Sequence, residues 1–440
     1  MVNIIIELSR YLLIILLAMY TFWGYTVFQK KEEKKKRRIF FRQRILIFLI
    51  QFVAYMDLYL VTQKERILPF YIAQLVFTAA AIIVYQLAYK TLSRLVLNHM
   101  LLLMSIGFVM LVRLNFSEGI RQFIFAAISM GICVIVPFII DKFSYLSRFG
   151  YLYAVAGLVL LAAVAVFGKE IYGAKNWINI AGIPLQPSEF VKILFVLFAA
   201  SLLSRSTEFK QVVLVSITAG LHVILLVLEK DLGAALIFFI TYLFMLYTAT
   251  SQPLYLGAGF LCGGGASFAA YRLFAHVRVR VLAWSDPWSN IDDKGYQICQ
   301  SLFAIGTGGF FGMGLGKGLP ESIPVAESDF IFSAIAEEFG GIFSIFILLI
   351  YVSCFMMFIN IAMRMQNMFY KLTATGLSIL FIFQVFLSVG GVTKFIPSTG
   401  VTLPLLSQGG SSVVSTVLIF SIIQGLYVRN QEEIGMGETA

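Results

Sequence analysis

The sequence predicts an all-α polytopic membrane protein, and three observations carry that prediction. Of 440 residues, 60% are hydrophobic and 13% are charged, too few polar groups to coat a soluble globule of this size. The apolar residues fall in continuous runs instead of the alternating pattern of a membrane β-barrel. Each run approaches the ~20 residues that a bilayer-spanning helix requires. A soluble enzyme, a disordered chain and a large extracellular domain on one anchor are excluded.

The runs lie at 4–27, 45–62, 67–89, 98–113, 119–140, 149–168, 189–204, 211–228, 232–250, 253–275, 330–361, 372–392 and 410–428, thirteen in all. The first begins almost at Met1 without a basic leader and reads as a retained helix, not a cleaved signal. Orientation follows from charge. Segment 30–44 carries Lys30, Lys31, Lys34, Lys35, Lys36, Arg37, Arg38, Arg42 and Arg44 against Glu32 and Glu33, so it is expected in the cytoplasm. That places the N-terminus outside and the C-terminus inside. Alternation then puts the basic groups near 90–94, 142–148, 205–210, 364–371 and 429 inside, and 169–188, 276–329 and 393–409 outside. Arg278 and Arg280 are the exception.

The net charge of +10 is thus a topology signal, and no nucleic acid partner is expected. Cys133, Cys262, Cys299 and Cys354 have no CxxC or metal-ligand spacing, and three histidines do not suggest a His-based metal centre. No resident cofactor is expected; a divalent cation stays open.

Chemistry is expected in the outer loops, because long loops on a helical scaffold carry function. Segment 276–329 reads as the longest non-helical stretch, with a short surface helix at 295–305. It holds Asp286, Asp292, Asp293 and Glu327, with Asp329 at the start of the next helix. Trp284 and Trp288 suit an interfacial aromatic belt. The glycines between Gly306 and Gly318 do not form a nucleotide-binding loop, since Phe311 and Gly318 occupy the critical positions. They read either as a turn region or as backbone amides beside Lys317 able to hold a pyrophosphate.

Segment 173–192 adds Lys175, Trp177, Gln186, Glu189 and Lys192, with Ser188 expected as a helix cap. Glu189 and Lys192 are three apart on a membrane helix, where an ionisable pair is costly and usually paired or functional. Glu229-Lys230-Asp231 interrupts two apolar runs. Lys394 and the run Ser407–Ser412 fall on the same outer side. Glu337 and Glu338 lie about two turns into a helix, so at least one should face a cavity or a cation. Together these suit an anionic headgroup on a lipid tail; from the residues alone an enzyme, a transporter and a channel all remain open.

Four segments taken together resemble the SEDS family (shape, elongation, division and sporulation; RodA/FtsW/SpoVE-like). They are GAKNWINI…QPSEFVK at 173–192, EKDLGAAL at 229–236, DPW…GYQICQSLFAIGTGGFFGMGLG…DFIFSAIAEEFG from Asp286 onward, and GVTLPLLSQGGSS at 400–412. The resemblance covers roughly 98–428. It implies a ten-helix core at 96–430, three additional N-terminal helices within 1–95 and a tail at 431–440. It also implies a peptidoglycan glycosyltransferase of the bacterial cytoplasmic membrane that polymerises lipid II at the outer face. The implied partners are undecaprenyl-linked glycan, a class B penicillin-binding protein and other divisome or elongasome membrane proteins. A lipid II flippase and a noncatalytic scaffold for the penicillin-binding protein are the alternatives.

The family's loop Asp falls six residues before the Tyr of its GYQ motif, which in this sequence is Asn290, counted from Tyr296. Three readings follow: Asp292 or Asp286 supplies the base, the chain is catalytically weak or inactive and keeps a regulatory or scaffolding role, or the register shifts here. Lys230 and Gln408 also depart, standing where relatives commonly carry Pro and Tyr. By the resemblance, Lys175, Trp177, Glu189 and Lys192 border the substrate cavity with Glu229 and Asp231 below. Gln297, Lys317, Glu327, Asp329 and Glu338 join from the long loop and its following helix, and Lys394, Ser407 and Ser411 form the far wall.

Overall fold

A computed structural model describes residues 2–171, 174–180 and 182–437. All thirteen apolar runs are helical. Among the described residues eleven helices are long and apolar enough to cross a membrane. The two remaining runs are a 16-residue helix, α8 below, and α11, which is long enough but diluted by Gly257, Gly259, Gly263, Gly264 and Gly265. The chain divides into two compact units, one of residues 1–134, 280–354 and 388–413, the other of 135–279, 355–387 and 414–440.

In the first unit, α1 (Val2–Gln29), α2 (Glu33–Thr62) and α3 (Ile67–Ala88) precede α4 (Arg94–Leu114) and α5 (Phe116–Cys133). Every residue from Leu95 to Val112 is buried, as expected for a helix that is apolar all round and has protein on every side. The first two helices are fastened to α4 by polar bonds. Tyr20 Oη and Ser353 Oγ each lie 2.9 Å from a His99 ring nitrogen. Gln51 Nε2 donates to Thr78 Oγ1 at 3.0 Å and to Ser105 Oγ at 2.7 Å. Such bonds hold helices together where lipid and side chains are equally apolar.

The second unit holds α6 (Val136–Lys142), α7 (Gly150–Phe167), α8 (Ser188–Leu203), α9 (Phe209–Leu228), α10 (Leu232–Thr250) and α11 (Pro253–Leu273). Segment 169–188, expected as a loop, is instead an antiparallel meander of β1 (Lys169–Ile171), β2 (Ala174–Ile180) and β3 (Ile183–Leu185). Its register pairs Lys169 with Trp177 and Asn179 with Pro184. Gly182, at φ 85°, supplies the left-handed turn residue between β2 and β3. The expected cap at Ser188 is also corrected. Pro187 occupies the cap position without a side-chain hydrogen bond, and Ser188 is the first helical residue, itself buried.

The stretch 276–329 is far more helical than its sequence suggests. It contains most of α12 (Ala275–Ser285), a 3₁₀ turn at Trp288–Asn290, α13 (Tyr296–Gly308) and a second 3₁₀ turn at Pro320–Ser322. Three long helices follow: α14 (Ile331–Arg364), α15 (Met368–Val392) and α16 (Gly410–Gly437).

Candidate functional site

In the first unit the glycine run is a plug seated in a bent helix. Helix α14 breaks at Gly340, with φ 89° and ψ 168°. The opened turn donates Gly341 N–H to Gly309 O at 2.8 Å and Ile342 N–H to Phe310 O at 3.2 Å. In return Met313 and Gly314 N–H donate to the Glu337 and Glu338 carbonyls, each at 2.9 Å. A Cβ on Gly312 would lie 2.3 Å from Glu338 O, so this approach requires glycine. The amides that could hold a pyrophosphate are therefore engaged inside the protein: besides Met313 and Gly314, Gly312 N–H donates to Gly308 O and Lys317 N–H to Gly314 O.

Charge surrounds this plug. Arg113, at the end of α4, reaches Glu338 Oε1 at 3.0 Å, Glu321 Oε1 at 2.9 Å and Gly318 O at 3.2 Å. The Glu338 side chain is fully buried, so this pair meets the expectation that one of the two glutamates faces a cation. Glu337 Oε1 accepts the Leu319 N–H at 2.9 Å. Lys317 Nζ lies 3.2 Å from Glu7 Oε1 of α1. Arg10 pairs with Glu7 at 2.9 Å and donates to Gly312 O at 3.0 Å. Tyr11 meets Phe311 edge-on, ring centroids 5.4 Å apart. Thus α1 grips the plug directly.

The loop that carries the candidate bases is a tight double turn. Asp286 Oδ1 accepts Ser289 N–H at 3.2 Å, and Asn290 Nδ2 donates to Asp286 O at 2.8 Å. Asn290 O accepts Gly295 N–H at 2.8 Å. Asp286, Asp292 and Asp293 are exposed, as is Gln297 one turn on. Hydrogen bonds from the Ser289 hydroxyl and N–H hold the Asp286 carboxyl below the ordinary carboxylate range, and Lys394 adds in the same direction. Asp286 is thereby a weak proton acceptor. The Asn290 carboxamide is spent on main chain. The Asp292 carboxylate has no hydrogen bond or ion pair among the described residues.

Lys394 belongs to the same neighbourhood. Its carbonyl accepts Trp284 Nε1–H at 3.1 Å. Arg280 donates to Ser398 O at 3.4 Å. Ser407 donates to Ser328 O, and Gln408 N–H to Glu327 O at 2.7 Å. Gln408 Nε2 donates to Glu118 Oε2 at 2.8 Å, while Gln122 spans Ser407 O and Gly409 N–H. Ser411 is buried, and its neighbour Ser412 bonds Thr402 at 2.8 Å. Burial pushes the Asp329 carboxyl up, against the opposing Ser328 hydrogen bond and Arg280 charge.

In the second unit, Glu189 and Lys192 form the expected pair at 2.6 Å on α8. Lys192 Nζ also donates to Gln384 Oε1 at 3.0 Å, and Ser415 Oγ donates to Glu189 Oε2 at 2.6 Å. Each member of the pair thus has a hydrogen bond beyond the ion pair itself, which helps to offset its burial. Lys175 caps α7 by donating Nζ–H to Ala165 O at 2.7 Å and Val166 O at 3.1 Å, the structural role a cation takes at a helix C-terminus. Trp177 is half-buried beside it on β2.

Three donors converge on Asp231: Asn176 Nδ2 at 2.9 Å, Gln186 Nε2 at 3.3 Å and Ala234 N–H at 3.0 Å. Glu229 differs. It is 1% exposed and, among the described residues, neither carboxylate oxygen has a hydrogen-bond partner. Burial, with the Asp231 charge adding, pushes it up to about 8. Among the described residues no three His, Cys, Asp or Glu side chains converge as metal ligands.

Sequence reasoning missed Arg113, Glu118, Gln122, Asn176, Gln384 and Ser415. Arg113, Gln122 and Gln384 were findable as polar residues inside or at the end of apolar runs. Asn176 and Ser415 carry no such signal.

Residues 92–432 match the family of FtsW, RodA and SpoVE, described as cell cycle proteins. The peptidoglycan glycosyltransferase RodA of Mycobacterium bovis is 34% identical over 358 residues, 73% of this chain and 75% of that protein. The probable peptidoglycan glycosyltransferase FtsW of Aliivibrio salmonicida is 33% identical over 357 residues, 77% and 86% of the two chains. A chain from a solved peptidoglycan synthase complex matches at TM-score 0.65 and 25% identity, covering 77% of this chain and 98% of its own. The rod shape determining protein RodA of Thermus thermophilus shares the fold at TM-score 0.56 and 24% identity, covering 76% and 96%. The motif spacing, the helical architecture and these matches agree: the chain belongs to the FtsW/RodA/SpoVE family of cell cycle proteins.

Proposed function

We infer that this multi-pass bacterial membrane protein is a peptidoglycan glycosyltransferase that polymerises lipid II. The observation that carries the reading is the 34% identity to a RodA glycosyltransferase across 73% of the chain. In the reaction the acceptor sugar's 4-hydroxyl oxygen bonds to the anomeric carbon of the donor. The bond from that carbon to pyrophosphate breaks, and undecaprenyl pyrophosphate leaves with the electron pair. A carboxylate takes the hydroxyl proton, which a general base accelerates by ~10²–10⁴-fold.

Asp292 fits the base. It is exposed and has no hydrogen-bond or ion-pair partner among the described residues, whereas Asp286 is weakened by Ser289 and Lys394, and Asn290 has no carboxylate. Lys394 and Arg280 are cations of this unit suited to the leaving pyrophosphate. In the second unit, the Glu189–Lys192–Gln384–Ser415 cluster is a separate candidate for headgroup contact, supported by its charge within an apolar helix.

The orientation has the N-terminus outside and the C-terminus in the cytoplasm, supported by the basic segment 30–44. A class B penicillin-binding protein is the proposed partner, supported by the likeness to a chain of a peptidoglycan synthase complex.

Incubation of the purified chain with lipid II, with and without that partner, tests the reading. Glycan polymer on a gel is expected. Transfer of the headgroup across liposomes with no polymer would replace it with a flippase. Outside labelling of a cysteine placed in 30–44 would overturn the orientation.

A further inference from the structure

We propose that the charged end of α2 is a binding site for anionic phospholipid headgroups. The helix buries Ile39, Gln43, Leu46, Ile47 and Ile50. Its opposite stripe shows Ile45, Leu49 and Phe52, 44%, 41% and 51% exposed. Followed back at helical spacing, that lipid-facing stripe continues into Lys34, Arg38 and Arg42, all exposed. At ~1.5 Å per residue, Arg42 stands about 5 Å and Arg38 about 10 Å beyond Ile45. The polar layer of each leaflet is roughly 5–8 Å deep, so Arg42 emerges at headgroup depth on the side that faces lipid, with Arg38 and Lys34 in line just beyond it. A topology determinant needs positive charge but no particular face.

Two further observations point to an anion. Lys35 and Lys36 are neutralised by Glu32 and Glu33 at 2.6 and 2.7 Å, while Lys34 and Arg38 have no acidic partner among the described residues. The Arg42 guanidinium is held 4.6 Å over the Trp23 ring, which fixes its position before a ligand arrives. The occupant is a diacyl lipid and not free phosphate, because Ile45, Leu49 and Phe52 continue the stripe into the acyl region.

The full chain in phosphatidylcholine nanodiscs doped with phosphatidylglycerol tests this, read by mass spectrometry of the lipids retained. The wild type is expected to enrich phosphatidylglycerol. Each cation near an anionic surface contributes a factor of about 5, so Lys34→Gln/Arg38→Gln/Arg42→Gln lowers the preference ~100-fold. The equal-charge control Lys30→Gln/Lys31→Gln/Lys35→Gln, off the stripe, is expected to keep it. An equal loss in both triples overturns the site in favour of unspecific attraction. Absence of any enrichment in the wild type, or its displacement by millimolar inorganic phosphate, overturns it as well. The outcome is independent of the glycosyltransferase reading.

Discussion

Replacement of Glu229 by Gln should remove a loss of stability that the wild type suffers as pH rises from about 5 to 9. Glu229 is 1% exposed with both carboxylate oxygens unbonded, so burial favours the protonated form and lifts it from 4.5 to about 8. Between those values the folded chain holds a proton that the unfolded chain has released. Stability therefore falls as pH rises: the contribution is complete below about 4.5 and is lost as pH passes through about 8. One pKa unit corresponds to ~1.4 kcal/mol, so the window of about 3.5 units corresponds to roughly 5 kcal/mol as an upper figure. Glutamine has nearly the same shape and no charge at any pH. Thermal unfolding of both proteins in nanodiscs at steps from pH 5 to pH 9 measures the difference. Across that range the wild type should lose more stability than Glu229→Gln, which should be the more stable of the two at pH 9. The buried Asp329, also raised, contributes a slope of the same sign to both proteins. Parallel curves for the two proteins would refute the assignment of a buried, protonated Glu229.

Three other expectations concern the plug. Arg113→Met strands the fully buried Glu338 and should destabilise by ~3–5 kcal/mol; unfolding of the double variant with Glu338→Met should recover most of it. Gly312→Ala places a Cβ 2.3 Å from Glu338 O at a φ of 79° and should destabilise by more than the ~0.4–1 kcal/mol that an unstrained Gly→Ala gains, read as a lowered unfolding midpoint. Arg10→Ala combined with Glu7→Gln removes the bonds to Gly312 O and Lys317; hydrogen exchange at 309–318 should accelerate while exchange in α8 stays unchanged. Unaltered exchange in the plug would show that α1 does not hold it.

Much of the architecture was legible because hydropathy alone specifies membrane helices, and all thirteen runs are helical. The Glu189–Lys192 pair was legible for the same reason, since a charge in an apolar run must find a partner. Contacts distant in sequence were not. The glycine run reads as a flexible loop until its backbone is matched to the break at Gly340, some thirty residues on, and no local pattern announces that pairing. Residues 174–185 contain the alternation and Gly182 turn of a hairpin, but a seven-residue strand among long apolar helices is a weak signal. In HVRVRV the Val/Arg alternation suggests extended chain, yet α12 is helical, since the chain context overrides propensity. Asn290 was visible as a departure, while the reason Asp286 cannot simply replace it required the Ser289 hydrogen bonds.

The central claim is that this chain polymerises lipid II with Asp292 as the proton acceptor. The most direct measurement is the rate of glycan formation from lipid II by the purified protein with its penicillin-binding partner, compared among wild type, Asp292→Ala, Asp286→Ala and Asn290→Asp. The account predicts polymer from the wild type, a fall of ~10²–10⁴-fold in Asp292→Ala, and a much smaller effect of Asp286→Ala. Absence of polymer from both the wild type and Asn290→Asp would contradict it.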